Sequence, residues 1–335
     1  MTASEVSTSN GTSTSNGTPV STGTPVSTGT PVSTGTPTST GTPAPAGPTE
    51  ALTAARVRSL RTPRRFRPGM ALAWAVLVLA VLAAAAPGLL AGQEPDAIDP
   101  VNALAGPGAE HWLGTDRLGR DVLSRMVHGA RTSLLIGFGA TAFAVVAGAL
   151  LGVLAAAAGR AVDQLLMRAT DVLLAFPGLM LSLVVVAVLG PGSGNATLAI
   201  GASLLPGFLR LARGQALAIR DSDYVRAAVV IGRGRRSIFL RHLLPNALPP
   251  LLVLATVNIG SAVIAGSTLS FLGLGPQPPS PEWGAMLSEG RDHLDTAWAA
   301  AVFPGLAITA TVVAVTVVGR DLQRRLDGRD GHGRS

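Results

Sequence analysis

The sequence contains no cysteine, and all 26 of its basic residues are arginine, so lysine is absent as well. Without cysteine there is no disulfide framework, no thiolate zinc site and no cysteine nucleophile. Without lysine there is no phosphate-loop lysine, no Schiff base and no serine–lysine dyad, which excludes ATP hydrolysis through a Walker motif of the chain's own. Charge is scarce too: 13% of residues are charged, against roughly one quarter in an ordinary soluble domain. What fills the space is apolar. Hydrophobic residues make up 47% and the mean hydropathy is +0.43, the composition of a membrane protein. The net charge of +7 could suggest nucleic acid, but aromatics are only 4% and the arginines lie beside apolar blocks, so they are read as topology signals and no nucleic-acid partner is expected.

Residues 1–50 form a separate compositional region. From Asn16 they follow a six-residue repeat of the type STGTPV, and Glu5 and Glu50 are their only charges. Such a segment cannot bury enough surface to offset its ordering entropy, so it is expected to be a disordered tail. Residues 51–69 follow as a basic juxtamembrane segment with Arg56, Arg58, Arg61, Arg64, Arg65 and Arg67.

Uncharged blocks then recur at membrane-crossing length. Residues 70–90 are uncharged for 21 positions and 132–159 for 28, each enough for a helix through a core of roughly 30 Å. Residues 172–209 are uncharged for 38, too long for one helix, and Gly190-Pro191-Gly192-Ser193-Gly194-Asn195 breaks them where a hairpin would fall. The predicted spans are 70–90, 132–159, 172–189, 196–219, 247–267 and 296–319, with a cytosolic tail at 321–335. The fourth contains Arg210 and Arg213, whose long side chains are expected to snorkel to the headgroups. Arginine counting sets the orientation: 21 fall on the side of the N-terminus and 5 on the other, which places both termini in the cytosol.

Apart from those two arginines no ionisable residue lies within a predicted span, unlike the usual ion-coupled carrier, so energy is expected to enter from another subunit. The five histidines make no i, i+4 pair, and no metal site or cofactor is expected.

The largest inner loop begins Asp221-Ser222-Asp223, candidate N-caps. Tyr224, Ala227, Ala228 and Ile231 fall at i, i+3, i+4 and i+7, one face of a short helix that Gly232 would end. A second helix is predicted over 235–244, and Pro245 begins the next span at a position where its missing N–H costs nothing. At these residues the chain resembles the permeases of ABC importers, whose signature is a polar residue, two alanines, a glycine four positions on and a leucine–proline pair thirteen residues later. Ala227, Ala228, Gly232, Leu244 and Pro245 match it, whereas Arg226 stands in place of the usual glutamate and His242 in place of the usual isoleucine.

Two further blocks resemble the dipeptide, oligopeptide and nickel group of these permeases, in the second membrane subunit type: LGTDRLGRDVLSRMVHGARTSL from Leu113 and STLSFLGLGPQPPSPEWGAML from Ser267. The first holds Leu113, Gly114, Thr115, Asp116, Gly119, Arg120, Asp121, Ser124, Arg125, Gly129 and Arg131. It reads as a helix on the outer interface, with Asp116–Arg120 and Asp121–Arg125 as exposed i, i+4 pairs worth about 0.3–0.5 kcal/mol each. Such an element could simply seat the second span, or could serve gating or the docking of a binding protein. The second block reads as an extended outer loop, with Trp283 and Trp298 suited to an interfacial belt.

The resemblance, over about 71–327, implies an all-α, six-span membrane protein with the type I importer permease fold. It implies a non-catalytic subunit in the cytoplasmic membrane, taking peptides or a related solute such as nickel. Its partners would be a second permease, two cytosolic ATPase subunits that dock on the Tyr224–Pro245 loop, and an extracytoplasmic solute-binding protein. A non-transporting membrane scaffold and a secondary carrier are the alternative readings.

Overall fold

Long apolar runs rich in alanine and leucine leave their backbone amides no partner in a bilayer except one another, and helices result. The structure, a computed structural model, describes residues 68–330, and at 229, 235, 236 and 325–330 it describes the backbone alone. The Thr/Gly/Pro tail, the basic segment up to residue 67 and the last five residues lie outside the described residues. Eleven helices follow: α1 (Pro68–Ala85), α2 (Val122–Ala158), α3 (Arg160–Leu174), α4 (Gly178–Leu189), α5 (Ser193–Arg220), α6 (Asp223–Val230), α7 (Arg235–Ile238), α8 (Leu244–Phe271), α9 (Trp283–Arg291), α10 (Leu294–Ala297) and α11 (Ala299–Asp330). No strand occurs among the described residues.

Five of these are long and apolar enough to cross a membrane, with α8 extended back to Phe239, and α3 with α4 makes a sixth crossing if the bent pair counts as one. Helix α1 stops at Ala85 rather than near residue 90, because Pro87 opens a separate 3₁₀ turn. Helix α2 starts ten residues before the predicted span, capped by the Asp121 carboxylate on the Ser124 amide. At 37 residues it is about 55 Å long and rises well beyond a hydrocarbon core of roughly 30 Å. The third span differs most from expectation. Residues 172–174 close α3, the chain bends by 98° before Gly178, and only α4 continues toward the turn. Pro177 accounts for the break, since the residue before proline is pushed out of the helical region.

Helices α2, α5 and α8 form the centre, with α4 against α5 and with α1 and α11 to one side. Small residues let them approach closely, the way helices associate where lipid removes the hydrophobic drive. At Gly152 a Cβ would stand 2.5 Å from the Leu209 carbonyl oxygen of α5, so that crossing admits glycine alone. Along these helices Ala144, Ala149 and Ala212 are buried in one cluster with Phe208 and Leu251, and Ala140, Ala199 and Ala262 in another with Ile200.

Candidate functional site

Polar side chains collect at the two ends of the bundle. At the end bearing α9, residues 113–121 form tight turns, and helix begins only at Val122. The expected interfacial helix is therefore absent before that point. Gly114 and Gly119 take φ of 77° and 76°, and a Cβ at Gly119 would overlap the Asp99 carbonyl oxygen at 1.7 Å. The Asp116 carboxylate accepts the amides of Leu118 and Arg120 at 2.8 and 3.0 Å, which winds the turn around the acid.

The charged pairs of this block are buried, contrary to expectation. Arg120 is 3% exposed; its Nε donates to Asp116 at 2.6 Å and its Nη2 to Glu289 of α9 at 3.0 Å. Asp121 and Arg125 do not pair with each other. Asp121 caps α2 and lies 3.0 Å from His111 Nδ1, while Arg125 reaches Asp96 at 3.2 Å, the Pro95 carbonyl at 3.3 Å and Asp116 at 3.6 Å. Burial and the neighbouring Arg120 oppose the Arg125 charge, and the three carboxylates around it sustain it. Thr115 donates to the Asn102 carbonyl and Ser124 to that of Gln93, tying the long segment after α1 to the knot. Leu113 packs beside Val122, Met286 and Ala300. Gly129 faces Glu282, and Arg131 is exposed and outside the network.

Helix α9 replaces the expected extended loop at 283–291. Its cap, Glu282, is 1% exposed and was not marked by sequence reasoning; its carboxylate accepts from Ser133 at 2.8 Å and from the Ala285 amide at 2.9 Å. Trp283 is 3% exposed, and its indole donates to the Met126 carbonyl at 2.8 Å, so it is a core residue rather than a belt residue. Trp298, half exposed, keeps the surface position. At this end Asp116, Arg120, Glu289, Arg125 and Asp96 are joined in one ion network whose two arginines are buried. Among the described residues no group of three or more His, Asp or Glu could hold a metal.

At the opposite end α6 hangs between α5 and α8. Its helix stops at Gly232, φ 81°, with the Arg233 amide returning to the Ala228 carbonyl at 3.1 Å, the Schellman closure that favours glycine. The structure divides the expected face. Tyr224, Ala227 and Ile231 are exposed, Ile231 at 81%, whereas Ala228 at 7% and Val225 at 2% turn inward. Val230 at 87% joins the outer surface, and Arg226 and Arg233 flank it, exposed. Behind α6 a cleft of about 600 Å³ runs to the end of α2, lined by Arg220, Arg226, Ile238 and Phe239 among others.

The second loop helix is also divided, into the four residues of α7 and a π-turn over Phe239–Leu243. Tyr224 and His242 stack at 6.0 Å with a 48° tilt, and Asn246 donates to the Tyr224 hydroxyl at 3.3 Å and to the His242 carbonyl at 2.7 Å. This clasp joins α6 to the root of α8, where Leu244 is half-buried and Pro245 occupies the first turn. Just above, Arg210 and Arg213 do not snorkel freely: they bond Asp171 and Asp163 of α3, the second pair through two contacts. Acids in the segment before the third predicted span and bases in the fourth were the available signal for these pairs.

The described geometry contains a short helix with one bare side at one end of the bundle and a buried ion network at the other. A family profile described as binding-protein-dependent transport system inner membrane component matches residues 148–329. The probable D,D-dipeptide transport system permease protein DdpC of Escherichia coli K12 is 43% identical over 72% of this chain and 81% of its own length. The dipeptide transport system permease protein DppC of Alkalihalophilus pseudofirmus is 42% identical over 68% and 75%, and the glutathione transport system permease protein GsiD of E. coli O6:K15:H31 is 41% identical over 83% and 94%.

Proposed function

The chain belongs to the family of binding-protein-dependent transport system inner membrane components and is a multi-pass permease subunit of an ABC importer; on that premise we propose that its cargo is a di- or oligopeptide. The similar proteins with named cargo transport D,D-dipeptides, dipeptides and glutathione, and peptides share a backbone that a common pathway can accommodate. The complete importer pairs this chain with a second permease, places two ATPase subunits on the cytosolic side and receives cargo from an extracytoplasmic binding protein. Both termini lie in the cytosol, in keeping with the 21 to 5 arginine split.

The observation that carries the coupling role is α6: an eight-residue helix clasped to the root of α8 and joined to α5 by two residues, with Tyr224, Ala227 and Val230, and Ile231 just beyond its end, bare. Its small Ala227 lets another protein approach closely between larger ends. Closure of an ATP-bound ATPase pair would shift α6 as a unit, and the Tyr224–His242–Asn246 clasp would pass the shift to α8. The outer knot holds the α2–α9 corner rigid while the inner end moves. The test is uptake of a labelled dipeptide into proteoliposomes containing the four membrane and ATPase subunits plus binding protein. Uptake is expected to require ATP and every component; uptake without the ATPases would contradict the proposal.

A further inference from the structure

Helix α3 carries its acids on one side and a bare apolar row on the other. It lies at 98° to α4, so the two cannot form one straight crossing, and α4 with 12 residues is about 18 Å long, short of a hydrocarbon core of roughly 30 Å. Both acids of α3 pair with α5, Asp163 partly buried and Asp171 at the surface. Asp163 accepts from Arg213, at 2.7 Å for the Nη2 contact, and Asp171 accepts from Arg210; Thr170, between them, is buried. Those pairs hold α3 level with the foot of α5, two to three turns before it ends at Arg220.

The opposite side of α3 is bare and apolar. Val162, Leu165 and Val172 are 37, 70 and 61% exposed, with Ala169 among them, and at i, i+3, i+7 and i+10 they make one continuous row. Arg168 is exposed at the edge of that row and Arg160 is exposed on the polar arc at the start of the helix, and neither makes an ion pair among the described residues. With both acids paired to α5, the free charge of the helix is entirely positive.

We propose that α3 is a membrane-surface helix lying in the cytoplasmic leaflet, its apolar row sunk among acyl chains and Arg160 and Arg168 set against anionic headgroups. An in-plane helix with an apolar row and arginines at its polar edge is the pattern that binds an anionic bilayer surface. A second protein covering the row would have to supply an acid for Arg168 at its edge, whereas lipid phosphates provide that charge at this depth and are within reach of the long Arg160 side chain. The cytoplasmic placement rests on the orientation given above. Its consequence is mechanical: chiefly through the partly buried Asp163–Arg213 pair the leaflet holds α5, and only two residues separate the end of α5 from the start of α6.

The absence of native cysteine makes the test direct. Nitroxides are attached at Leu165→Cys and, separately, at Gln164→Cys on the polar arc, in the assembled transporter in nanodiscs of phosphatidylcholine with or without phosphatidylglycerol. The Leu165 label should be reached by oxygen and shielded from a water-soluble nickel chelate, and the Gln164 label should show the reverse. Phosphatidylglycerol should deepen the Leu165 label, and Arg160→Gln with Arg168→Gln should remove that dependence. Nickel access at Leu165 equal to Gln164, shielding from both reagents as under a protein cover, or no response to phosphatidylglycerol would each overturn the proposal. Failure of the orientation alone would appear separately, as labelling of Arg160→Cys by an impermeant thiol reagent in intact cells.

Discussion

Arg120→Ala tests whether the outer knot is a structural anchor rather than surface decoration. The guanidinium is 3% exposed and bridges Asp116 at 2.6 Å to Glu289 at 3.0 Å, so its removal leaves two carboxylates facing each other with little water. Breaking one side of such a buried pair costs about 3–5 kcal/mol, roughly a hundred- to several-thousand-fold in a folding equilibrium. Arg125, 3.6 Å from Asp116, relieves part of that cost, which puts the lower figure forward. The assay is retention of the monodisperse, detergent-solubilised transporter after graded heating, with Arg117→Ala as control because Arg117 is exposed and outside the hydrogen-bond network. Arg120→Ala should lower the midpoint clearly and Arg117→Ala should not. Glu289→Gln in the Arg120→Ala background should cost less than Glu289→Gln alone, a coupling of about 0.5–3 kcal/mol. Equal midpoints for Arg120→Ala and Arg117→Ala, or strict additivity of the cycle, would refute the reasoning.

Gly152→Val, facing a Leu209 carbonyl oxygen 2.5 Å from its Cβ, should separate α2 from α5 and cut the yield of folded transporter, read as the monodisperse fraction after solubilisation. Gly232→Val meets no atom within 4 Å but sits at φ 81°, so it should cost only about 1–2 kcal/mol and abolish uptake while membrane abundance stays normal. Ala228→Arg should also stop uptake, by unseating α6 from beneath, and Arg226→Ala, outside the packed side, should be the mildest of the three in the same uptake assay. For topology, single cysteines near Gln93, Ser193 and Ser280 should react with an impermeant thiol reagent in intact cells, and those near Arg160 and Gly234 only after permeabilisation.

Much of the architecture was legible because apolar run length reports helix count directly: 70–90, 132–159 and 296–319 each overlie an observed helix. Position 177 shows where run length fails, since the uncharged block continues through a proline that bends the chain by 98°. The outer block misled for a related reason. Asp116 and Arg120 are four apart in a turn as in a helix, and only the two glycines at positive φ mark the difference. Burial of that knot depends on Asp96 and Glu289, distant in the chain and contributed by other elements, so no local pattern could price it. On α6 the spacing set Tyr224, Ala227, Ala228 and Ile231 on one face, but the helix is rolled so that Val225 and Ala228 face inward and ends before Ile231; an eight-residue helix has too few apolar positions to fix its own roll.

Cross-linking on α6 tests the central claim, that its bare edge receives the motion of the ATPase subunits. In the cysteine-free chain, Ile231→Cys and Ala227→Cys should each form a short cross-link to an ATPase subunit in the assembled transporter, with a yield that changes between nucleotide-free and ATP-trapped states. Val225→Cys, on the buried side, should not. Absence of any ATPase cross-link at Ile231 and Ala227 in transporters that still import peptide, or equal yields at all three positions, would contradict it.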